Sequence, residues 1–189
     1  MKYDRGIRWL HAGIALGVLI QLSTSQLMTV PEPGPSLFMV HRWSGISIFA
    51  MVILHWLWGV GGHITGGWGH LFPWFSKARF GALMSDIRAL PEWVRGRFPD
   101  QRVHSAPLVG AVHGLGLLVV TAMVVTGATL FFGMAPDGSM SSAVKTVAEI
   151  HGFFANFIWV YFIGHVAMAL FHQLRGEPLI TDMFNLKVK

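Results

Sequence analysis

The chain contains no cysteine. This excludes disulfides, iron–sulfur clusters, thiolate-ligated haem and the C-x-x-C-H attachment of c-type haem. Any haem held here is held non-covalently. Charge is also scarce. Only 12% of the residues are charged, against about a quarter in soluble chains. The apolar segments hold almost no carboxylate except Glu149. A histidine-lined path for metal ions would need acidic or thioether groups along it, so this scarcity argues against a metal transporter.

Apolar length is present instead. Four stretches, residues 7–28, 37–60, 107–134 and 147–174, are long enough to cross a hydrocarbon core about 30 Å thick. Together they take up over half the chain, too much for the buried helices of a soluble domain. The sequence therefore reads as an all-α membrane protein, a four-transmembrane-helix bundle forming one membrane-embedded domain over residues 1–189. The first segment lacks a small-residue cleavage site, ends in Gln26-Leu27-Met28 and carries His11. It reads as a retained helix rather than a signal peptide.

The basic residues set the orientation. With the N-terminus inside, Lys2, Arg5, Arg8, Lys77, Arg79, Arg88, Arg95, Arg97, Arg102, Arg175, Lys187 and Lys189 are all cytoplasmic. Only Arg42 and Lys145 fall outside. This positive-inside asymmetry places both termini in the cytoplasm. It makes the basic residues topology signals and membrane-lipid contacts, with no nucleic-acid partner.

Between the segments, residues 29–36 hold three prolines and form a short outer loop. Residues 61–106 form a long inner loop. Its Gly- and Trp-rich start, residues 61–74, reads as an interfacial loop. Further on, Phe80, Leu83, Met84, Ile87 and Leu90 recur at helical spacing. They predict an amphipathic interfacial helix between the second and third membrane segments, broken at Pro91. Residues 135–146 form a second short outer loop around Pro136-Asp137-Gly138. The pairs Gly13/Gly17 and Gly110/Gly114 have the spacing that admits close approach of a helix or of a flat macrocycle.

There are ten histidines, and two of them define the chemistry. His151 and His165 lie fourteen residues apart on the fourth segment. That is about 21 Å of helix rise and a residual rotation of about 40°. Both rings leave one face, near opposite sides of the membrane. Polar rings so placed call for a use, and two metal centres stacked across the bilayer would be one. On the outer side only His41 and His151 are available as a pair. On the inner side His165 has three candidate partners: His11, His55 and, less favourably placed, His113. His55 follows His41 by fourteen residues, repeating the spacing of His151 and His165. Periodicity alone therefore favours a symmetric four-histidine cage for two haems.

Trp9-Leu10-His11, Val40-His41-Arg42-Trp43-Ser44-Gly45, Ile150-His151-Gly152 and Ile163-Gly164-His165 resemble the bacterial cytochrome b561 family. That family includes the cytochrome b subunits of nickel–iron hydrogenase and formate dehydrogenase. The resemblance covers nearly the whole chain. It implies an inner haem b on His11 and His165 and an outer haem b on His41 and His151. These four residues would be the axial ligands of the two irons. It thereby replaces His55 with His11. His55 and Arg42 become candidate contacts for haem propionates, and the location becomes the bacterial inner membrane.

Bis-histidine ligation closes both axial positions, so such centres move single electrons. Two of them stacked along one helix make a transmembrane wire. At the inner end His113 and His172 are candidate borders of a quinone site. The outer end has no substrate domain and needs a redox partner. The resemblance implies a periplasmic c-type cytochrome or a dehydrogenase- or hydrogenase-type subunit, with this chain as the membrane subunit of a larger oxidoreductase. It also implies an alternative, a stand-alone enzyme like superoxide oxidase. Arg42 and Lys145 stand against Glu32, Asp137 and Glu149 on the outer face. That weak field favours the subunit over steering of an anion.

Overall fold

The computed structural model describes residues 4–28, 36–62, 67–96 and 107–185, which are helical with no strand among them. Pro31, Glu32, Pro33, Pro35, Lys2, Arg97, Arg102, Lys187 and Lys189 lie outside the described residues. Four helices are long and apolar enough to cross a membrane: α1 (Arg5–Leu27), α2 (Leu37–Val60), α5 (Pro107–Gly133) and α6 (Ser142–Leu174). Three shorter helices join them: α3 (Trp68–Leu71), α4 (Lys77–Val94) and α7 (Leu179–Phe184), with a 3-10 turn at Pro73–Phe75.

Capping, not hydropathy, sets the helix starts. Asp4 accepts the Gly6 amide at 2.8 Å, so α1 begins at Arg5, two residues before the apolar run. Ser141 accepts the Val144 amide at 3.3 Å. This starts α6 at Ser142, inside a polar stretch expected to be loop. The expected start of 147 and the expected loop 135–146 are corrected accordingly. A serine hydroxyl that satisfies an orphan amide outweighs a few polar side chains. α5 opens with Pro107, and its Leu108 amide donates to Asp86 on α4 at 3.1 Å. That bond ties the amphipathic helix to the bundle.

Two expectations for the long loop are also corrected. Pro91 does not break α4, which continues to Val94. A proline near a C-terminus removes one bond, and the Arg95 amide still reaches the Pro91 carbonyl at 3.3 Å. Residues 68–71 form α3 rather than loop. Gly110 and Gly114 on α5 lie under its backbone, where a Cβ would meet the carbonyls of His70 and Leu71. That glycine pair serves the approach of a short helix. Gly13 and Gly17 serve a second approach, of Met51 and Ile48 on α2. Neither pair is open to a macrocycle.

The core is Ile48, Val52 and Val124, extended by Ile14, Phe49, Trp56 and Val120. Trp56 donates its indole N–H to the Thr121 hydroxyl at 3.0 Å and stacks on Trp68, ring centres 5.2 Å apart. α4 buries Leu83 and leaves Phe80, Ile87 and Leu90 exposed. α1 packs on α2, α2 on α5, and α5 on α6. The ring is not closed: α6 makes no more than marginal backbone contact with α1 or α2. A slot therefore separates α6 from the first two helices. At one end α7 packs against both α6 and α1. There Arg8, only 4% exposed, donates to the Asn185 carbonyl at 2.8 Å, which ties the start of α1 to the end of α7.

Candidate functional site

The histidines collect in two groups along the slot. At the end away from the termini, His41 on α2 and His151 on α6 lie within electrostatic reach of each other. Each ring is held through one nitrogen. His41 Nδ1 lies 3.0 Å from the Thr24 hydroxyl on α1, and His151 Nδ1 lies 2.8 Å from the Thr126 hydroxyl on α5. The backbone of His41 is fixed as well, its carbonyl accepting from Gln21 Nε2 at 2.7 Å. The same amide donates to Ser44 Oγ at 2.7 Å. Arg42, next in sequence, turns towards the end of α5. It donates to the Phe131 carbonyl at 3.2 Å, with its guanidinium 4.7 Å from the Phe131 ring centre.

At the termini end His165 is the hub. Its ring centre is 6.2 Å from that of His11 on α1 and 5.3 Å from that of His113 on α5. Tyr161, one turn earlier on α6, stacks on it at 5.3 Å and 14°. His113 donates its Nδ1–H to the Val109 carbonyl at 2.7 Å. His55 lies within electrostatic reach of His11. The Nδ1 atoms of His11 and His55 are buried with no hydrogen-bond partner among the described residues. His172, two turns beyond His165, is buried near α7 and has Nδ1 3.5 Å from Glu177 Oε2.

This arrangement suits a flat metal macrocycle. His11 and His165, with ring centres 6.2 Å apart, are the residues that would hold it at the termini end. The orphaned Nδ1 atoms of His11 and His55 are polar atoms that a chain buries only at a cost of about 1–3 kcal/mol each. A bound group in the slot would change their surroundings. No group of three or more His, Asp or Glu forms a bare metal-ion site among the described residues. Paired imidazoles without carboxylates are the donor set of a porphyrin iron rather than of a free cation.

Several contributors have no signature in the sequence. Thr24, Thr126 and Tyr161 touch slot histidines only because particular helices meet. Phe184 on α7 presents its edge to His11, ring centres 5.7 Å apart. The helix that carries it has no signature in the sequence, because six residues are too few for a periodic signal.

Over residues 2–186 the sequence matches the family model described as prokaryotic cytochrome b561. No curated protein and no solved structure matches it.

Proposed function

Because the chain belongs to the prokaryotic cytochrome b561 family, we propose that it is a di-haem cytochrome moving electrons across the bacterial inner membrane. Its outer contact would be a periplasmic redox protein and its inner contact the quinone pool. Membership alone makes it a membrane b-type cytochrome that binds haem b and transfers electrons. The finer reading is supported by one observation: α6 carries two histidines fourteen residues apart, His165 with the His11 ring 6.2 Å away and His151 within electrostatic reach of His41.

In this reading His11 and His165 hold one haem b and His41 and His151 the other. A haem held by these histidines would supply one-electron chemistry. The protein's part is to orient rings and exclude water. Thr24 and Thr126 anchor the outer imidazoles. Tyr161 and Phe184 pack apolar surface on the inner ones. His55, with its orphaned Nδ1, and Arg42 are the candidate propionate contacts. His113 and His172 border a quinone site at the termini end, and that end faces the cytoplasm by the positive-inside rule. The apolar residues Phe80, Ile87 and Leu90 left exposed on α4 suit a helix lying in the interface. The described residues at the far end form only a short connection between α5 and α6, which supports a membrane subunit of a larger oxidoreductase.

Haem counting tests this. The purified chain should carry two non-covalent haems per polypeptide. His11→Ala should lose one and His55→Ala should keep both. The reverse result would restore the symmetric pairing of His55 with His165, and a colourless protein would remove the reading altogether.

A further inference from the structure

We infer that Thr24 and Thr126 are a matched pair of positioning residues that set the tautomer and electron-donating strength of the outer histidines. The inference rests on the reading that His41 and His151 hold a haem. A threonine hydroxyl has one proton to give. In Thr24 it goes to the Ile20 carbonyl at 2.7 Å, and in Thr126 to the Ala122 carbonyl at 2.7 Å. Both carbonyls lie one turn back on the same helix, a habit of helical threonine. A further carbonyl of the same helix lies near each hydroxyl, Gln21 at 3.2 Å from Thr24 and Met123 at 3.1 Å from Thr126, so the contact of each hydroxyl with its histidine is an acceptance. The imidazoles are the donors, through Nδ1–H, at 3.0 Å for His41 and 2.8 Å for His151.

A neutral imidazole carries one N–H. With the proton fixed on Nδ1, the lone pair of each ring is on Nε2, the nitrogen free to bind iron. The two contacts are alike in every part. Each threonine sits on the helix preceding that of its histidine, α1 for α2 and α5 for α6. Each is held by its own helix. Gly127, next to Thr126, leaves His151 its place, since a Cβ there would stand 3.2 Å from its ring.

Donation from Nδ1–H pushes electron density towards Nε2 and favours ferric over ferrous iron. His11 at the other site has no such partner, its Nδ1 being buried without one among the described residues. The threonines thus mark the outer centre as chemically distinct from the inner one. They lower its potential relative to the same site without them.

The test uses the full-length haem-loaded chain with Thr24→Val, Thr126→Val, the double variant and the corresponding serine variants. Valine keeps the shape and removes the acceptor. At a fixed poise the reduced-to-oxidised ratio of one haem should rise about threefold for each valine. It should rise about tenfold for the pair, which is about 59 mV for one electron. The ferric low-spin resonance of that haem should move with it, while the other haem stays put. Serine should return both readouts to the parent values. Where valine releases the haem, serine must retain it. Unchanged potentials and resonances, equal shifts in serine and valine, or haem loss in both would overturn the inference. His41→Ala and His151→Ala separate the two claims. If either keeps both haems, the haem assignment itself fails. If each loses one and the threonine variants move nothing, only the role of the threonines fails.

Discussion

The ring of Tyr161 lies flat on the ring of His165, centres 5.3 Å apart and planes 14° from parallel. The pair is spaced i,i+4 on α6, so the helix itself sets the stack. The other face of the contact is Gly116 on α5, where a Cβ would enter the Tyr161 ring. Gly116→Ala should therefore push Tyr161 and, through it, His165. Overpacking of this kind costs about 1–3 kcal/mol. The expected result is a lower melting temperature and a shifted spectrum of one haem only. Gly62→Ala is not a fair control because Gly62 has positive φ; Gly81→Ala, with open space and ordinary backbone, is. If Gly116→Ala leaves the spectrum as it was, the stack does not hold His165.

The membrane helices were legible in the sequence because hydropathy over twenty residues is a strong signal, and α2 was bounded correctly at both ends. The start of α5 at Pro107 was legible too, whereas those of α1 and α6 were not. Asp4 and Ser141 act through a single hydrogen bond each, which no average over a window detects. The histidines were legible by side, since topology alone sorts them. The partner of His165 was not. The repeat of fourteen residues favours His55, whereas the structure places the rings of His11 and His113 beside His165. Which residues of α1 face α6 depends on how α1 sits against α2, and that depends on Gly13 and Gly17 admitting Met51 and Ile48. Spacing along one helix carries no such information. Thr24 and Thr126 were invisible for the same reason: a threonine in an apolar segment is ordinary until a ring lies against it.

Arg8 and Asn185 join the start of α1 to the end of α7. The guanidinium is buried and donates to the last described carbonyl past α7. A hydrogen bond from a charged group contributes about 1.5–3 kcal/mol. Arg8→Ala should release α7 by about that amount, seen as faster amide exchange over residues 179–185 with α5 unaffected. Phe184 would then leave His11, so the same variant should broaden the spectrum of the haem assigned to His11. Protection of α7 equal to that of the parent would show that packing, not Arg8, holds it.

His113 and His172 separate two roles at the same end of the bundle. His113 touches His165 edge-on, whereas His172 is two turns away and beside Glu177. Replacing either with Asn should slow oxidation of the haems by added quinone about a hundredfold or more, the size of a lost proton-exchanging group. His172→Asn should leave both haem spectra intact, and His113→Asn should move only the one belonging to His165. Parent rates in both variants would remove the quinone site from this end.

His70 makes the docking of α3 depend on pH. Burial, and secondarily the nearby Arg79 guanidinium, hold its imidazole below the ordinary histidine value of 6.5. Its carbonyl meanwhile rests over Gly110. The docked state therefore prefers neutral His70, while the undocked state titrates near the ordinary value. Above that value both states are neutral and docking is at full strength. As pH falls through it, the undocked state takes up a proton that the docked one resists, and docking weakens. The side chain is only partly buried, so the loss should be partial rather than a release. A spin label on Ser76→Cys reads it directly, since the chain has no other cysteine. The label should become more mobile between pH 7.5 and pH 5. Adding His70→Asn should flatten that change. A label equally mobile at both pH values, or one whose pH response survives His70→Asn, would show that another group governs the contact.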